Sequence, residues 1–255
     1  MNRAIRDWTD QRVWIIGASS GIGEALALAL LARGARVAIS ARRQRVLRTL
    51  AATHPKATVL AFDMTDAAAY ARAQDELWKA WGGIDLVVFS AGAYTPMRAW
   101  ELDPTRLGEL LDINLRAPMA ATARLIPLLL RQGNGAIAFV ASVAGYRGLP
   151  KSAAYGPTKA ALINFAETLH IDLAPRGISV YLINPGFVAT PMTAGNDFEM
   201  PALISPQQAA EEIIAGFARG AFEIHFPRRF TLWLKLLRLL PYSLYFALVR
   251  RFTRM

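Results

Sequence analysis

Tyr155 and Lys159 lie four residues apart in the segment YGPTK, and Ser142 lies thirteen residues before the tyrosine in AIAFVASVAG. If a helix begins near Tyr155, that spacing sets the phenol and the ammonium on one face. The chemistry such a pair allows is proton exchange. A phenol with an ordinary pKa of about 10 is a weak donor and a weaker base near neutrality. An adjacent ammonium favours the phenolate and brings that pKa down. Ser142 closes an apolar run that reads as a buried parallel strand, and the carboxyl end of such a strand faces the crevice where α/β sheets take ligands. Its hydroxyl can orient a substrate oxygen there. Capping of the following turn is the competing use of the same hydroxyl, and Tyr-xxx-Lys in isolation reads equally as an exposed helical pair.

A second constellation opens the chain. In VWIIGASSGIGEALALAL an apolar strand runs into Gly17, Ser19, Ser20, Gly21, Ile22 and Gly23, and then into a helix rich in Ala and Leu. Glycine allows the tight turn and lets backbone amides approach a pyrophosphate, which the positive end of the helix dipole then stabilises. The next strand ends in VAISARR. A cofactor with a free ribose requires a carboxylate at this point, and Ser40 and Ala41 offer none. Arg42 and Arg43 instead supply cations suited to a 2′-phosphate, so NADP(H) is the expected cofactor. Two solvated arginines at a helix start are the competing reading.

The elements that must position these residues alternate along the chain. Apolar runs at Val13–Ile16, Arg36–Ser40, Thr58–Phe62, Ile84–Phe89, Ala136–Ala141, Ile178–Ile183 and Phe222–Phe226 read as strands. Helical patterns lie between them at Gly21–Arg33, Arg43–Thr53, Ala67–Trp81, Pro104–Arg131, Tyr155–Ala174 and Pro206–Arg219, the fourth expected to bend or break near Pro118 and Pro127. Strands such as VWII and LVVF are apolar throughout rather than alternating, as parallel strands covered on both faces are. The expected fold is therefore α/β, a Rossmann-like doubly wound parallel sheet of about seven strands with a C-terminal helical extension. Residues 1–229 read as a single catalytic domain and 230–255 as a tail without independent folding. The stretch Gly186–Ser205, rich in breakers and carrying Phe187, Met192, Phe198, Met200 and Leu203, reads as an apolar substrate lid, an ordinary surface loop being the alternative.

The spacing GxxxGxG, the YGPTK segment and the upstream Ser142 together resemble the short-chain dehydrogenase/reductase family, over nearly all of residues 10–227. The family's TGxxxGIG has Ile16 in place of its threonine here, and its NNAG reads Phe89, Ser90, Ala91, Gly92. The resemblance implies interconversion of a carbonyl and an alcohol, with Tyr155, Lys159, Ser142 and Asn114 catalytic. It implies that Asn114 organises a water linking the lysine to solvent; a buried structural hydrogen bond is the alternative. It implies that Asp63 meets the adenine, capping by Asp63 or Asp66 being the alternative. Ala91 and Gly92 would line the cofactor, and INPGFVATPM would place Pro185, Gly186, Val188 and Thr190 beside the nicotinamide. A homodimer or homotetramer, built largely from the helices carrying Asn114 and Tyr155, is implied as well.

Composition narrows the remaining choices. The 255 residues contain no cysteine, which excludes disulfides, thiolate metal ligands and cysteine nucleophiles. His54, His170 and His225 have no metal-ligand spacing, and no metal is expected. The N-terminus MNRAIRDWTDQR lacks the apolar stretch of a secretory signal, so a cytoplasmic protein is expected. Of the net charge of +10, Arg228, Arg229, Lys235, Arg238, Arg250, Arg251 and Arg254 contribute seven, with no acid after Glu223. A basic block mixed with Leu, Trp and Phe points to a membrane surface rather than to nucleic acid, for which no motif is present. Thr231, Lys235 and Arg238 form a narrow polar stripe on the tail, and Pro241 divides it into two helices. Charges and the proline disfavour a membrane span. Interfacial helices at the inner face of a membrane, with Trp233, Leu236, Leu237, Tyr242, Tyr245 and Phe246 entering lipid, are one expectation. Packing on the domain, cover over the substrate mouth and a subunit contact are the others. The functional expectation is an NADP(H)-dependent reductase of a hydrophobic ketone or aldehyde; the alternative is a catalytically idle NADP(H)-binding or membrane-recruitment protein.

Overall fold

The computed structural model describes residues 2–253, so Arg254 of the basic block lies outside the described residues. The apolar runs become strands β1 (Arg12–Ile16), β2 (Arg36–Ser40), β3 (Ala57–Val59), β4 (Leu86–Phe89), β5 (Gly135–Val140), β6 (Ile178–Pro185) and β7 (Glu223–Phe226). All pair in parallel, in the order β3-β2-β1-β4-β5-β6-β7. The order reverses between β1 and β4, and the chain leaves these neighbouring strands in opposite directions, opening a crevice at their carboxyl ends. The helices are α1 (Gly21–Ala32), α2 (Gln44–Ala51), α3 (Ala67–Trp81), α4 (Pro104–Leu111), α5 (Ala117–Gln132), α6 (Tyr155–Leu173), α7 (Pro206–Arg219), α8 (Arg228–Arg238) and α9 (Tyr242–Thr253).

The two-residue period of a strand assigns its side chains to two cores. Val13 and Ile15 of β1 join Leu26 and Leu30 of α1 and Ile213 and Phe217 of α7 on one face. Trp14 and Ile16 join Tyr70, Leu125, Leu129 and Leu162 on the other. Trp14 is fully buried; its indole donates to Ser40 Oγ at 2.8 Å and its ring stacks on Tyr70 at 5.2 Å. Truncating one of the buried Leu or Ile side chains to Ala would cost about 2–5 kcal/mol.

Two expected elements differ. The third strand ends at Val59 instead of continuing to Phe62. It is an edge strand with one neighbour, and beyond Val59 only Leu60 N to Ile39 O and Phe62 N to Ala41 O tie it to the sheet. The long crossover helix changes before its first proline: a π-helical turn, Asp112–Arg116, separates α4 from α5. Pro118 then falls in the first turn of α5, where a missing N–H is tolerated. Pro127 sits inside α5, which continues past it.

The tail helix starts at Arg228, two residues before Phe230; of its polar stripe Thr231 and Lys235 turn inward while Arg238 stays exposed. Thr231 is fully buried with its hydroxyl 2.6 Å from His225 Nδ1, and Lys235 Nζ lies 2.5 Å from Glu223 Oε2. Arg147 donates to the carbonyls of Leu237, Arg238 and Leu240 at 3.0, 3.1 and 2.7 Å, holding the turn between α8 and α9. Its guanidinium lies 4.7 and 4.0 Å from the ring centroids of Tyr242 and Tyr245, and Tyr245 OH donates to Gly148 O at 2.6 Å. The tail is thus clamped to the segment between Ser142 and Tyr155. Among the described residues, no helix is long and apolar enough to cross a membrane.

Candidate active site

A cleft of about 310 Å³ lies at the carboxyl ends of the central strands. Its floor is the turn after β1. Gly17 has φ +99°, and a Cβ there would fall 2.3 Å from Ala91 N, so the turn and the loop after β4 approach more closely than any side chain permits. Gly21, at φ +63°, would meet Thr190 Cγ2 at 2.9 Å. Ser20 stands extended at the start of α1 without a side-chain hydrogen bond to the first turn, whereas Asp66, Asp103 and Ser205 cap α3, α4 and α7. Ser19, Ser20, Gly21 and Ile22 line the cleft with that uncapped helix start. Gly23 does not: a Cβ there would lie 2.3 Å from Gly17 O, and its contribution is close packing behind the turn.

At the end of β2 the two arginines are held differently. Arg43 donates to Ser19 Oγ through Nε and Nη2 at 3.2 and 2.9 Å, and to Ser19 O at 3.0 Å. Arg42 is exposed, with Nη1 3.9 Å from Asp63 Oδ2. Asp63 accepts from Thr65 N and Oγ1 at 2.9 and 2.8 Å; burial raises its pKa, but these bonds and Arg42 hold it below the usual carboxylate value. Capping of α3 belongs to Asp66, which accepts from Ala68 N and Ala69 N. A glycine cradle, an uncapped helix start and two cations at one end of the cleft fit a dinucleotide.

Ser142 and Tyr155 arrive from β5 and α6. The Ser142 hydroxyl accepts from Ala144 N at 3.1 Å, capping its turn, and lines the same cleft as the Tyr155 phenol. Burial pushes the Tyr155 phenol up to about 12; the neighbouring Ser142 hydroxyl opposes this and Tyr94 adds to it. Lys159 Nζ donates to Val140 O at 2.9 Å and lies 5.6 Å from the Tyr155 ring centroid. Burial brings the lysine down to about 8. The expected lowering of the phenol by the lysine is not found: desolvation penalises the charged form of both groups. At neutral pH the pair is a neutral phenol beside an ammonium, which is a donor arrangement.

Asn114 sits in the π-helical turn, almost fully buried, and stands behind the cleft wall while Ile113 lines it. Its amide donates to Ala93 O at 2.9 Å and Thr158 Oγ1 at 3.2 Å, and its oxygen accepts from Ala93 N at 2.8 Å. The side chain is therefore in the structural hydrogen bonds named above as the alternative, tying the loop after β4 to α6. A Cβ on Gly92 would lie 3.1 Å from Asn114 Oδ1 and 3.6 Å from Lys159 Nζ, so this glycine lets both groups close on the loop. Ala91, Gly92, Pro185, Gly186, Val188 and Thr190 all line the cleft. Thr193, not singled out from sequence, braces this wall by donating to Val188 O at 2.6 Å.

Three further features carried no sequence signal of their own. Tyr94 stands edge-on to Tyr155, ring centroids 5.0 Å apart. Lys151 Nζ lies 2.6 Å from both carboxylate oxygens of Asp197, joining the segment before α6 to the Gly186–Ser205 loop. Glu223 accepts from Tyr146 OH at 2.5 Å and Asn184 Nδ2 at 2.8 Å as well as from Lys235. All three are contacts between segments distant in sequence.

The model of the short chain dehydrogenase family matches residues 11–200. An uncharacterized oxidoreductase of Myxococcus xanthus is 36% identical over 241 residues, spanning 93% of this chain and 95% of its own. One from Staphylococcus epidermidis is 33% identical over 205 residues, spanning 78% and 87%. A short chain dehydrogenase from Burkholderia cenocepacia, solved in complex with NADP, aligns with TM-score 0.84 at 24% identity, over 96% of this chain and 99% of that one. The 3-ketoacyl-(acyl-carrier-protein) reductase from Brucella melitensis, complexed with NADH, aligns with TM-score 0.79 at 25% identity, over 86% and 97%. The chain belongs to the short chain dehydrogenase family of oxidoreductases.

Proposed function

We propose that this protein is an NADP(H)-dependent reductase of hydrophobic ketones or aldehydes. The observation that carries the reading is one cleft lined by the glycine turn, by Arg42 and Arg43, and by Ser142, Tyr155 and Lys159. A bound nicotinamide supplies the hydride. Tyr155 then gives its proton to the substrate oxygen as charge develops there, while Ser142 holds that oxygen. A phenol raised to about 12 by burial stays protonated through neutral pH, which suits reduction better than alcohol oxidation. The Lys159 ammonium, fixed on Val140 O, favours the transient phenolate and keeps α6 registered against β5. Asn114 acts one step back, by holding the Gly92–Ala93 loop against α6.

The preference for NADP(H) over NAD(H) rests on the side chains after β2: no carboxylate, and an exposed Arg42 able to meet a 2′-phosphate. The hydrophobic substrate rests on the lid, where Phe187 packs on Phe198 with ring centroids 5.7 Å apart and Met192 lines the cleft. A homodimer or homotetramer through α5 and α6 is part of the same reading, with Ile171 on α6 71% exposed and available to a second subunit. The test is NADPH oxidation across a panel of aliphatic, steroid-like and acyl ketones, repeated with NADH. Turnover of an apolar carbonyl compound with NADPH at least tenfold above that with NADH is the expected result. Turnover of none of the panel, or preference for NADH, would contradict it.

A further inference from the structure

The α8–α9 tail packs on the domain through a mixed face, Phe230 and Leu234 lying against the core beside part of the polar stripe. Its polar stripe is used against the domain: Thr231 is fully buried on His225, and Lys235 is paired with Glu223. Much of what remains outside is apolar. Leu232, Trp233, Leu236 and Leu239 recur at spacings that form one face of α8, and Tyr242 and Phe246 follow on α9, their rings stacked at 5.7 Å. Trp233 is 67%, Tyr242 71% and Leu239 80% exposed. This corrects the sequence-based set: Tyr245 is buried on Gly148 and Leu237 half-buried, while Leu232 and Leu239 take their places. A helix that leaves Leu232, Trp233, Leu236 and Leu239 in water while half-burying Lys235 forgoes apolar burial that a partner surface would supply.

The rim of this surface is cationic. Arg228, Arg229, Arg238, Arg250 and Arg251 are exposed, and among the described residues none of the five is in an ion pair. No acid follows Glu223 in the sequence. A second copy seated on the same face would set these cations against their own equivalents. We propose that α8 and α9 dock the enzyme on an anionic lipid surface, with Trp233 and the leucines entering the headgroup–acyl boundary and the arginines meeting the headgroups. Among the described residues no helix is long and apolar enough to cross a bilayer, so the attachment proposed is peripheral. The geometry also ties the docked surface to the cleft. Phe230 of α8 lies 5.7 Å, centroid to centroid, from Phe187, which packs in turn on Phe198 of the lid. Arg147 and Gly148, which grip the tail, lie on the segment joining Ser142 to Tyr155.

The test uses the intact chain and requires neither cofactor nor turnover, so its failure is separable from failure of the proposed activity. Co-sedimentation is measured with vesicles of phosphatidylcholine alone and of phosphatidylcholine mixed with phosphatidylglycerol, at low and high salt. The full chain is expected to pellet with the anionic vesicles and to be released by salt. Trp233→Ala/Leu239→Ala, at exposed positions and checked for unchanged melting, should bind about tenfold or more weakly. Arg250→Gln/Arg251→Gln should lose about tenfold on anionic vesicles alone. Absence of binding to anionic vesicles, or binding unaffected by the Trp233/Leu239 pair, would overturn the proposal. So would a lipid-free change of oligomeric state in that pair, which would make the face a contact between copies.

Discussion

Arg42 and Arg43 are adjacent in sequence, yet their contacts predict different consequences for cofactor binding. Arg42 is 72% exposed on its side chain, with a single loose partner in Asp63 at 3.9 Å, so replacing it disturbs nothing on which the cleft depends. A hydrogen bond to a charged group contributes about 1.5–3 kcal/mol, and exposure places this one at the lower end. At about 1.4 kcal/mol per factor of ten, Arg42→Ala should weaken NADPH about tenfold and change NADH less than about twofold. Arg43 instead holds Ser19 by three hydrogen bonds, including one to its carbonyl, and Ser19 belongs to the turn that any dinucleotide must use. Arg43→Ala should therefore weaken NADPH and NADH together. Isothermal titration of both nucleotides into wild type and the two variants measures this. Equal losses of NADPH and NADH for Arg42→Ala, or no loss of either, would refute the assignment of the 2′-phosphate to this side chain.

The remaining predictions concern protons and the tail. Lys159, brought down to about 8, should set the alkaline limb of the rate: kcat/KM for reduction is expected to be flat below pH 8 and to fall above it, and Lys159→Met should lose about 10²–10⁴-fold with the limb abolished. Burial raises the Glu223 pKa, but Lys235, Tyr146 and Asn184 more than offset this and hold it below the usual carboxylate value. The stability from this cluster is thus fully present above the ordinary carboxylate pKa and lost as pH falls through the depressed folded-state value. Glu223→Gln should cost about 1–3 kcal/mol at neutral pH, a Tm lower by several degrees, with the difference from wild type shrinking on acidification.

What could be read from sequence follows the range of the interaction. Tyr155 and Lys159 were legible because helical period is local, and the β1 turn because glycines mark a backbone that no side chain could share. The end of β3 at Val59 was not, since Leu60 and Phe62 continue the apolar run and still donate to Ile39 O and Ala41 O after the ladder with β2 has ended. The π-helical turn around Asn114 was hidden behind Pro118, the more conspicuous breaker, which in fact occupies the tolerant first turn of α5. The tail shows the limit most clearly. Thr231, Lys235 and Arg238 declare a stripe, but whether a stripe meets water or Glu223 depends on a residue twelve positions away from Lys235 and on Tyr146 beyond it. The phenol was misjudged for a related reason: spacing placed a cation near Tyr155, whereas the depth at which both are buried is a property of the assembled fold.

On the proposed function, Tyr155 delivers the proton that completes carbonyl reduction. The most direct test is Tyr155→Phe, measured by NADPH consumption on a carbonyl substrate that the wild type reduces, with NADPH affinity titrated on the same preparation. The phenol leaves a ring of the same shape against Tyr94, so the account predicts unchanged NADPH binding and a loss of turnover of about 10²–10⁴-fold. Turnover at the wild-type rate, with NADPH still bound, would contradict it.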